Sequence, residues 1–285
     1  MKTCNYCGSN NIKEFINVKD RFSKERFLYN KCKNCGLIFL DKIISETDIM
    51  KYYPENYEAY KVGNDLKINT KKIRFVRLFC ENCSSILDVG CSSGDFLKVA
   101  KENGFKKIAG IEINSEMAKI ASESGIEIIG NSLFDIDIAS QLFDVITLWD
   151  VFEHLPEPKI SLERINTLLK EDGVLIMSIP NLKSFDRFLF KENWIGWDAP
   201  RHFFLFDQKL LRDLLNKNGF YYLNTFGITG AKGAFNLSVD KSFNREISKT
   251  KYYSIISLLL WPYRQIGYFL KRCPVITVVA RKRSE

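Results

Sequence analysis

Ile86-Leu87-Asp88-Val89-Gly90-Cys91-Ser92-Ser93-Gly94-Asp95-Phe96 joins an apolar, strand-like run to a glycine-bearing turn and the start of a helix. The next apolar run, Ile108-Ala109-Gly110-Ile111, closes on Glu112. A strand, a glycine turn and a carboxylate ending the following strand form the layout that cradles an adenosine cofactor at the carboxyl edge of an open α/β sheet. Gly90 and Gly94 allow close backbone approach, and Glu112 can accept from two ribose hydroxyls. The plain alternative for such a turn is core architecture with no ligand.

Two details favour S-adenosylmethionine over a dinucleotide. The spacing is Asp-x-Gly-x-x-x-Gly, not Gly-x-Gly-x-x-Gly. Asp88 also stands just before the turn, where it would repel a pyrophosphate but suits a cationic amino group or sulfonium. On these residues the chain resembles the class I S-adenosylmethionine-dependent methyltransferases, whose first motif reads much like ILDVGCSSGDF. Ser92 stands where that family usually has glycine, a departure that touches the methionine contact. The resemblance implies a cofactor site at Asp88, Gly90, Cys91, Gly94 and Glu112, with Trp149 and Tyr53 beside it. It also implies Asp135 as the contact to the adenine amino group, a role that competes with an N-cap or turn role.

Strand and helix patterns alternate from residue 85 onward, which implies a parallel sheet. Strands are expected near 85–89, 107–112, 126–129, 143–148 and 173–179. Helices are expected near 95–103, 115–123 and 159–170, with a further one from Leu205 to Asn218. Phe220 to Gly227 and Val275 to Ala280 are the last strands, an antiparallel edge joined by a long helical insertion. The fold class is therefore α/β: a seven-stranded, mostly parallel, Rossmann-like sheet. Expected boundaries are 1–42 for a metal module, 43–80 for a connector with cofactor-covering helices, and 81–285 for the sheet, with the insertion at about 230–272.

The metal module rests on Cys4-x-x-Cys7-Gly8 and Cys32-x-x-Cys35-Gly36. Each turn can aim two thiolates at one ion, and the pair completes the four-sulfur shell that structural Zn²⁺ prefers. A redox dithiol pair or a degenerate site without metal are the alternatives. Cys80-x-x-Cys83 lacks the following glycine and a matching pair, and is read as two free thiols.

The chain holds two histidines. His154 follows Glu153 in a Glu-His-Leu loop after the fourth strand, and such loops face the cofactor crevice. His202 lies in Asn193-Trp194-Ile195-Gly196-Trp197-Asp198-Ala199-Pro200-Arg201-His202. Both are candidate bases for a hydroxyl acceptor, against a purely structural role in their loops. Trp194, Trp197, Arg201 and Glu153 are the candidate acceptor contacts, since aromatic rings and an Arg-His pair suit a polar ring such as a sugar. Their plain alternative is core filling. Tyr52, Tyr53, Tyr57 and Tyr60 resemble the tyrosine cluster with which zinc-ribbon-bearing relatives cover the cofactor, packing between module and core being the alternative.

At 285 residues and 46% hydrophobic content the chain can bury an α/β core of about 200 residues and a small appendage. It shows no run of 18 apolar residues and no signal peptide after Met1-Lys2-Thr3-Cys4, so a cytoplasmic location is expected. The net charge of +8 is concentrated: residues 241–285 hold ten Lys or Arg against Glu246 and Glu285. With the apolar run 252–270, this tail suits peripheral contact with a membrane surface. Covering a sheet edge or forming a dimer remain the alternatives.

Taken together, the zinc ribbon, the Tyr-rich connector, the first motif and the Trp-rich Pro-Arg-His segment resemble zinc-ribbon class I methyltransferases of surface-polysaccharide and sugar modification. Sugar C-methyltransferases of that set carry a further domain for which 285 residues leave no room, so O-methylation of a saccharide or nucleotide sugar is the expectation. The rivals are an RNA methyltransferase and a non-catalytic scaffold. Residues 1–40 are not notably basic and no Asn-Pro-Pro-Tyr follows the fourth strand, which weighs against nucleic acid.

Overall fold

A computed structural model of the chain describes residues 3–54, 57, 66–136, 142–228 and 230–284, so Tyr60 lies outside the described residues. From the amino terminus, β1 (Ile12–Lys19), β2 (Arg26–Cys32) and β3 (Ile38–Leu40) form an antiparallel meander. The one-turn helix α1 (Glu46–Ile49) follows, its Asp48 amide donating to Ser45 Oγ at 3.2 Å. Next come α2 (Leu66–Phe79), β4 (Ser85–Val89), α3 (Asp95–Glu102), β5 (Lys107–Ile111), α4 (Ser115–Glu123), β6 (Glu127–Gly130) and β7 (Phe143–Trp149). The chain continues through α5 (Pro158–Leu168), β8 (Leu169–Pro180), α6 (Phe185–Phe190), β9 (Phe204–Leu205), α7 (Gln208–Lys217) and β10 (Phe220–Phe226). Then α8 (Ala231–Phe243), α9 (Lys251–Leu259) and α10 (Trp261–Phe269) precede β11 (Val275–Lys282).

The large sheet has the order β10-β11-β8-β7-β4-β5-β6. Strands β8, β7, β4, β5 and β6 run parallel, and β11 lies antiparallel between β8 and β10. This is the expected seven-stranded sheet with its antiparallel edge and helical insertion. All five residues of β4 are buried, as expected for a strand covered by helices on both faces. In α7, Leu210, Leu211, Leu214 and Leu215 place one apolar stripe on the core.

Two expected boundaries move. The strand placed from 173 begins at Leu169, directly after α5 ends at Leu168. The helix placed from Leu205 starts at Gln208, because Asp207 caps it by accepting from the Leu210 amide at 2.8 Å. Phe204 and Leu205 instead pair with Phe39 and Ile38, so β9 becomes the fourth strand of the amino-terminal sheet, order β1-β2-β3-β9. The cysteine-bearing sheet is thereby tied to the segment that carries His202. Cys80 and Cys83, expected as free thiols, lie side by side between α2 and β4, their Cα atoms 5.4 Å apart.

Candidate active site

The carboxyl ends of β4, β5, β7 and β8 open on a cavity of about 860 Å³, toward the upper end of the size range of small-molecule sites. It lies between β4 and β7, where connections from the two strands leave on opposite sides of the sheet, the place where open α/β sheets bind ligands.

On the β4–β5 side, Glu112 is held rigidly. Its Oε2 accepts from the Ser92 amide at 2.8 Å and its Oε1 from the Asn114 amide at 2.9 Å. Burial pushes its carboxyl upward, and the backbone amides oppose that shift. Asp88 accepts from Thr147 Oγ1 at 2.6 Å, and burial raises it to about 7 against that bond and the nearby Lys72 ammonium. A cation seated beside it would draw the carboxyl back to its charged form. Cys91 and Trp149 line the same wall, with Trp149 edge-on to Phe96 at 5.5 Å between ring centres.

Gly90 adopts φ +72°, and a Cβ there would meet Val151 Cγ2 at 2.6 Å. The glycine therefore lets the β7 loop close over the turn as well as admitting a ligand. Gly94 stands off the cavity wall at the N-terminus of α3, where a Cβ would press on Ile126 at 3.0 Å; it serves helix-to-sheet packing. Asp135 likewise stands off the wall and accepts from the amides of Asn131 at 3.2 Å and Ser132 at 2.9 Å. It closes the loop whose Ser132, Leu133 and Phe134 face the cavity.

The opposite side brings Glu153, His154 and His202 together, one ligand atom of each lying within 4.8 Å of the others. His202 Nδ1 donates to the Gly196 carbonyl at 2.8 Å, which turns its Nε2 lone pair toward Glu153 Oε1, 3.8 Å away. His154 Nδ1 lies 3.0 Å from both the Arg201 carbonyl and the Tyr53 hydroxyl. With the proton on Nδ1 the ring donates to the carbonyl and leaves Nε2 unprotonated. Burial, together with the neighbouring His202, depresses His154 to about 3, and burial also lowers His202. Glu153 is buried with neither oxygen hydrogen-bonded among the described residues, and burial raises its carboxyl well above the usual range. Burial thus disfavours the charged form of all three groups.

Of the remaining expected acceptor contacts, Trp194 lines the cavity and Trp197 does not. Trp197 is packed behind the wall against Tyr29, Trp194 and Phe15, ring centres 5.3, 5.5 and 6.1 Å away. Arg201 is also behind the wall. Its guanidinium is fully buried between Asp20 at 2.7 Å and Asp198 at 2.8 Å, and it donates to the Tyr52 carbonyl at 2.6 Å. The sequence pointed both residues at a substrate; the structure makes Arg201 the brace of the loop whose carbonyl holds His154.

Several cavity residues were not anticipated. Lys72, on α2, lies over the Trp149 ring at 4.6 Å, and burial lowers its ammonium against the opposing charges of Asp150 and Asp88. In a basic helix the sequence gives no sign of which lysine turns inward. Asp198 accepts from Tyr57 at 3.0 Å and from Arg201, and Arg201 holds it well below the usual carboxylate range. Its position between two predicted residues was the available signal.

Outside the cavity, Cys4, Cys7, Cys32 and Cys35 converge within 4.8 Å of one another. The Cys4–Cys35 and Cys7–Cys32 sulfurs are 3.5 and 3.6 Å apart. Tetrahedral zinc–thiolate bonds require about 3.8 Å between sulfurs, so the four donors fit that ion. Gly8 and Gly36, at φ +70° and +86°, let each knuckle turn back, their amides donating to the Cys4 and Cys32 carbonyls.

The model of a methyltransferase domain matches residues 64–225, more than half of the chain. The chain belongs to the methyltransferase-domain family. Among curated proteins it is similar to the ubiquinone biosynthesis O-methyltransferase of Haemophilus ducreyi, 30% identical over 137 residues that cover 44% of this chain and 56% of that protein. An uncharacterized protein of Methanocaldococcus jannaschii is 24% identical over 220 residues, covering 68% of this chain and 85% of its own. The chain thus spans about half the length of the ubiquinone-biosynthesis relatives it matches first. Among solved structures, an S-adenosylmethionine-dependent methyltransferase from Archaeoglobus fulgidus superposes with a TM-score of 0.53 at 19% identity, covering 76% of this chain and 94% of that one. The [4+2]-cyclase SpnF superposes at 0.50 and 14% identity, covering 76% and 81%. At such identities the likeness shows the fold alone.

Proposed function

We propose that the protein is an S-adenosylmethionine-dependent methyltransferase that methylates a hydroxyl of a saccharide, nucleotide sugar or related surface-polysaccharide precursor. The observation that carries this reading is the facing arrangement within one cavity. A ribose-competent carboxylate and a cation-tolerant Asp88 stand on one side, and two neutral, tautomer-fixed histidines stand on the other. Family membership supports the transfer reaction, and the relatives named as O-methyltransferases favour oxygen as the receiving atom.

When bound, S-adenosylmethionine supplies a sulfonium methyl group open to in-line displacement. Glu112 would hold its ribose hydroxyls, Trp149 and Phe134 would flank its rings, and Asp88 would balance its positive end. His202 Nε2, or His154 Nε2, would take the acceptor hydroxyl proton as the oxygen–methyl bond forms. Tyr53 and Tyr57, from the amino-terminal region, close the cavity beside these histidines and keep water from competing. The test is a screen of nucleotide sugars with methyl-labelled S-adenosylmethionine, read by mass spectrometry. A labelled O-methyl sugar is expected; transfer only to RNA would contradict the reading.

The four cysteines would hold a structural Zn²⁺, with all positions filled by sulfur and none left for chemistry. Elemental analysis should find one zinc per chain. Cys32→Ser should lose it and lower the melting temperature by about 5 °C or more, because β2 and β3 are anchored by that knuckle.

A further inference from the structure

The helices α9 and α10 invert the usual amphipathic arrangement. Ile255, Leu258 and Leu259 on α9, and Trp261, Ile266 and Phe269 on α10, are each more than half exposed, Leu259 at 74% and Phe269 at 87%. At about 100° per residue, the first set spans about 100° of its helix and the second about 140°, so each keeps to one side. The inward face is used differently. Tyr253 donates to Asn236 on α8 at 2.7 Å, and the Tyr263 ring packs on Phe235 of α8 and Phe185 of α6 at 6.1 and 5.8 Å. The helices are therefore seated on the protein, with an unpartnered apolar stripe turned outward. Scattered exposed leucines are ordinary, but six large side chains on adjoining turns are not.

Charge identifies the occupant. Between residues 245 and 272 the sequence holds Arg245, Lys249, Lys251, Arg264, Lys271 and Arg272 against the single acid Glu246. Along the chain, five of these cations bracket the two helices, three at or before the start of α9 and two after α10, and of the three Lys249 also meets Glu246. A second copy of this face would bring like charges together. Nucleic acid would leave isoleucine, leucine and phenylalanine side chains in water. An anionic lipid leaflet satisfies both features, taking the apolar side chains below its headgroups and the cations among them. Spanning is excluded for these helices: nine residues reach about 14 Å against a hydrocarbon core of about 30 Å. No helix among the described residues is long and apolar enough to cross a membrane.

We infer that the outward face of α9 and α10 is an in-plane docking surface for an anionic membrane. Its placement relative to the cavity gives it a purpose. α8, on which both helices rest, lines the cavity through Gly233, Ala234 and Leu237. Docking would therefore set one wall of the cavity beside the leaflet.

The test is flotation of the full chain with vesicles of phosphatidylcholine, or of an equal mixture of phosphatidylcholine and phosphatidylglycerol. The chain should float with the mixture and remain behind with phosphatidylcholine alone, and raised salt should weaken binding by about fivefold for each cation screened. The double variant Leu258→Glu, Phe269→Glu alters exposed positions only. It should lose flotation while its heat of S-adenosylmethionine binding matches that of the unaltered chain, which separates this inference from the methyl-transfer reading. Equal flotation of variant and parent, or no flotation with the mixture, would overturn it. So would a dimer in solution that the variant dissociates without any vesicle binding.

Discussion

Arg201→Met should destabilise the protein by about 3–5 kcal/mol, the cost of removing the cation seated between two buried carboxylates, of which Asp198 keeps Arg21 Nε at 3.4 Å. Asp20 and Asp198 reach the guanidinium at 2.7 and 2.8 Å with side chains 0% and 5% exposed, and methionine fills similar volume without donating to either. The loss should be read as a lowered denaturant midpoint at unchanged slope. Arg201→Lys should recover only part of it, because an ammonium cannot serve both acids and the Tyr52 carbonyl with the fixed fork that arginine presents. A change below about 1 kcal/mol would show that the ion-pair hub is not what holds the β9 loop on the amino-terminal sheet.

His154→Ala and His202→Ala should each lower turnover by about 10²- to 10⁴-fold while leaving cofactor affinity largely intact. The two rings meet edge to face at 4.6 Å, so removing either also disturbs the other, and the double variant should fall short of the product of the two effects. Full activity in both single variants would refute a histidine base. Stability carries a related signature. His154 is depressed to about 3 in the folded chain and titrates near 6.5 when unfolded. The unfolded chain therefore binds the extra proton between those values. This contribution to stability is complete above about 6.5 and declines as pH falls toward 3. His154→Ala should flatten the acid side of the stability profile measured by thermal melts.

The sheet was legible because its signals are local. Strand patterns of four to eight residues separated by helical spacing fix a parallel order, and the Asp88-to-Asp95 turn marks its cofactor edge. The cysteine knuckles were legible for the same reason, two short motifs each followed by a glycine that the turn needs. The acceptor side was only partly readable. Trp197 and Arg201 belong to a segment of the right composition, yet composition does not reveal which side of a cavity wall a residue occupies. Their inward turn depends on β9 pairing with β3, a contact between segments far apart in sequence. Lys72 was hidden likewise, since its burial depends on how α2 lies across Trp149. Glu153 and the two histidines were named separately, and only the fold shows that they form one buried cluster.

Isothermal titration with S-adenosylmethionine, set beside the same titration with NAD⁺, tests the account most directly. One saturable site per chain is predicted for S-adenosylmethionine, weakened about tenfold or more in Glu112→Ala, with no heat from NAD⁺. Heat from NAD⁺ alone, or none from either, would contradict it.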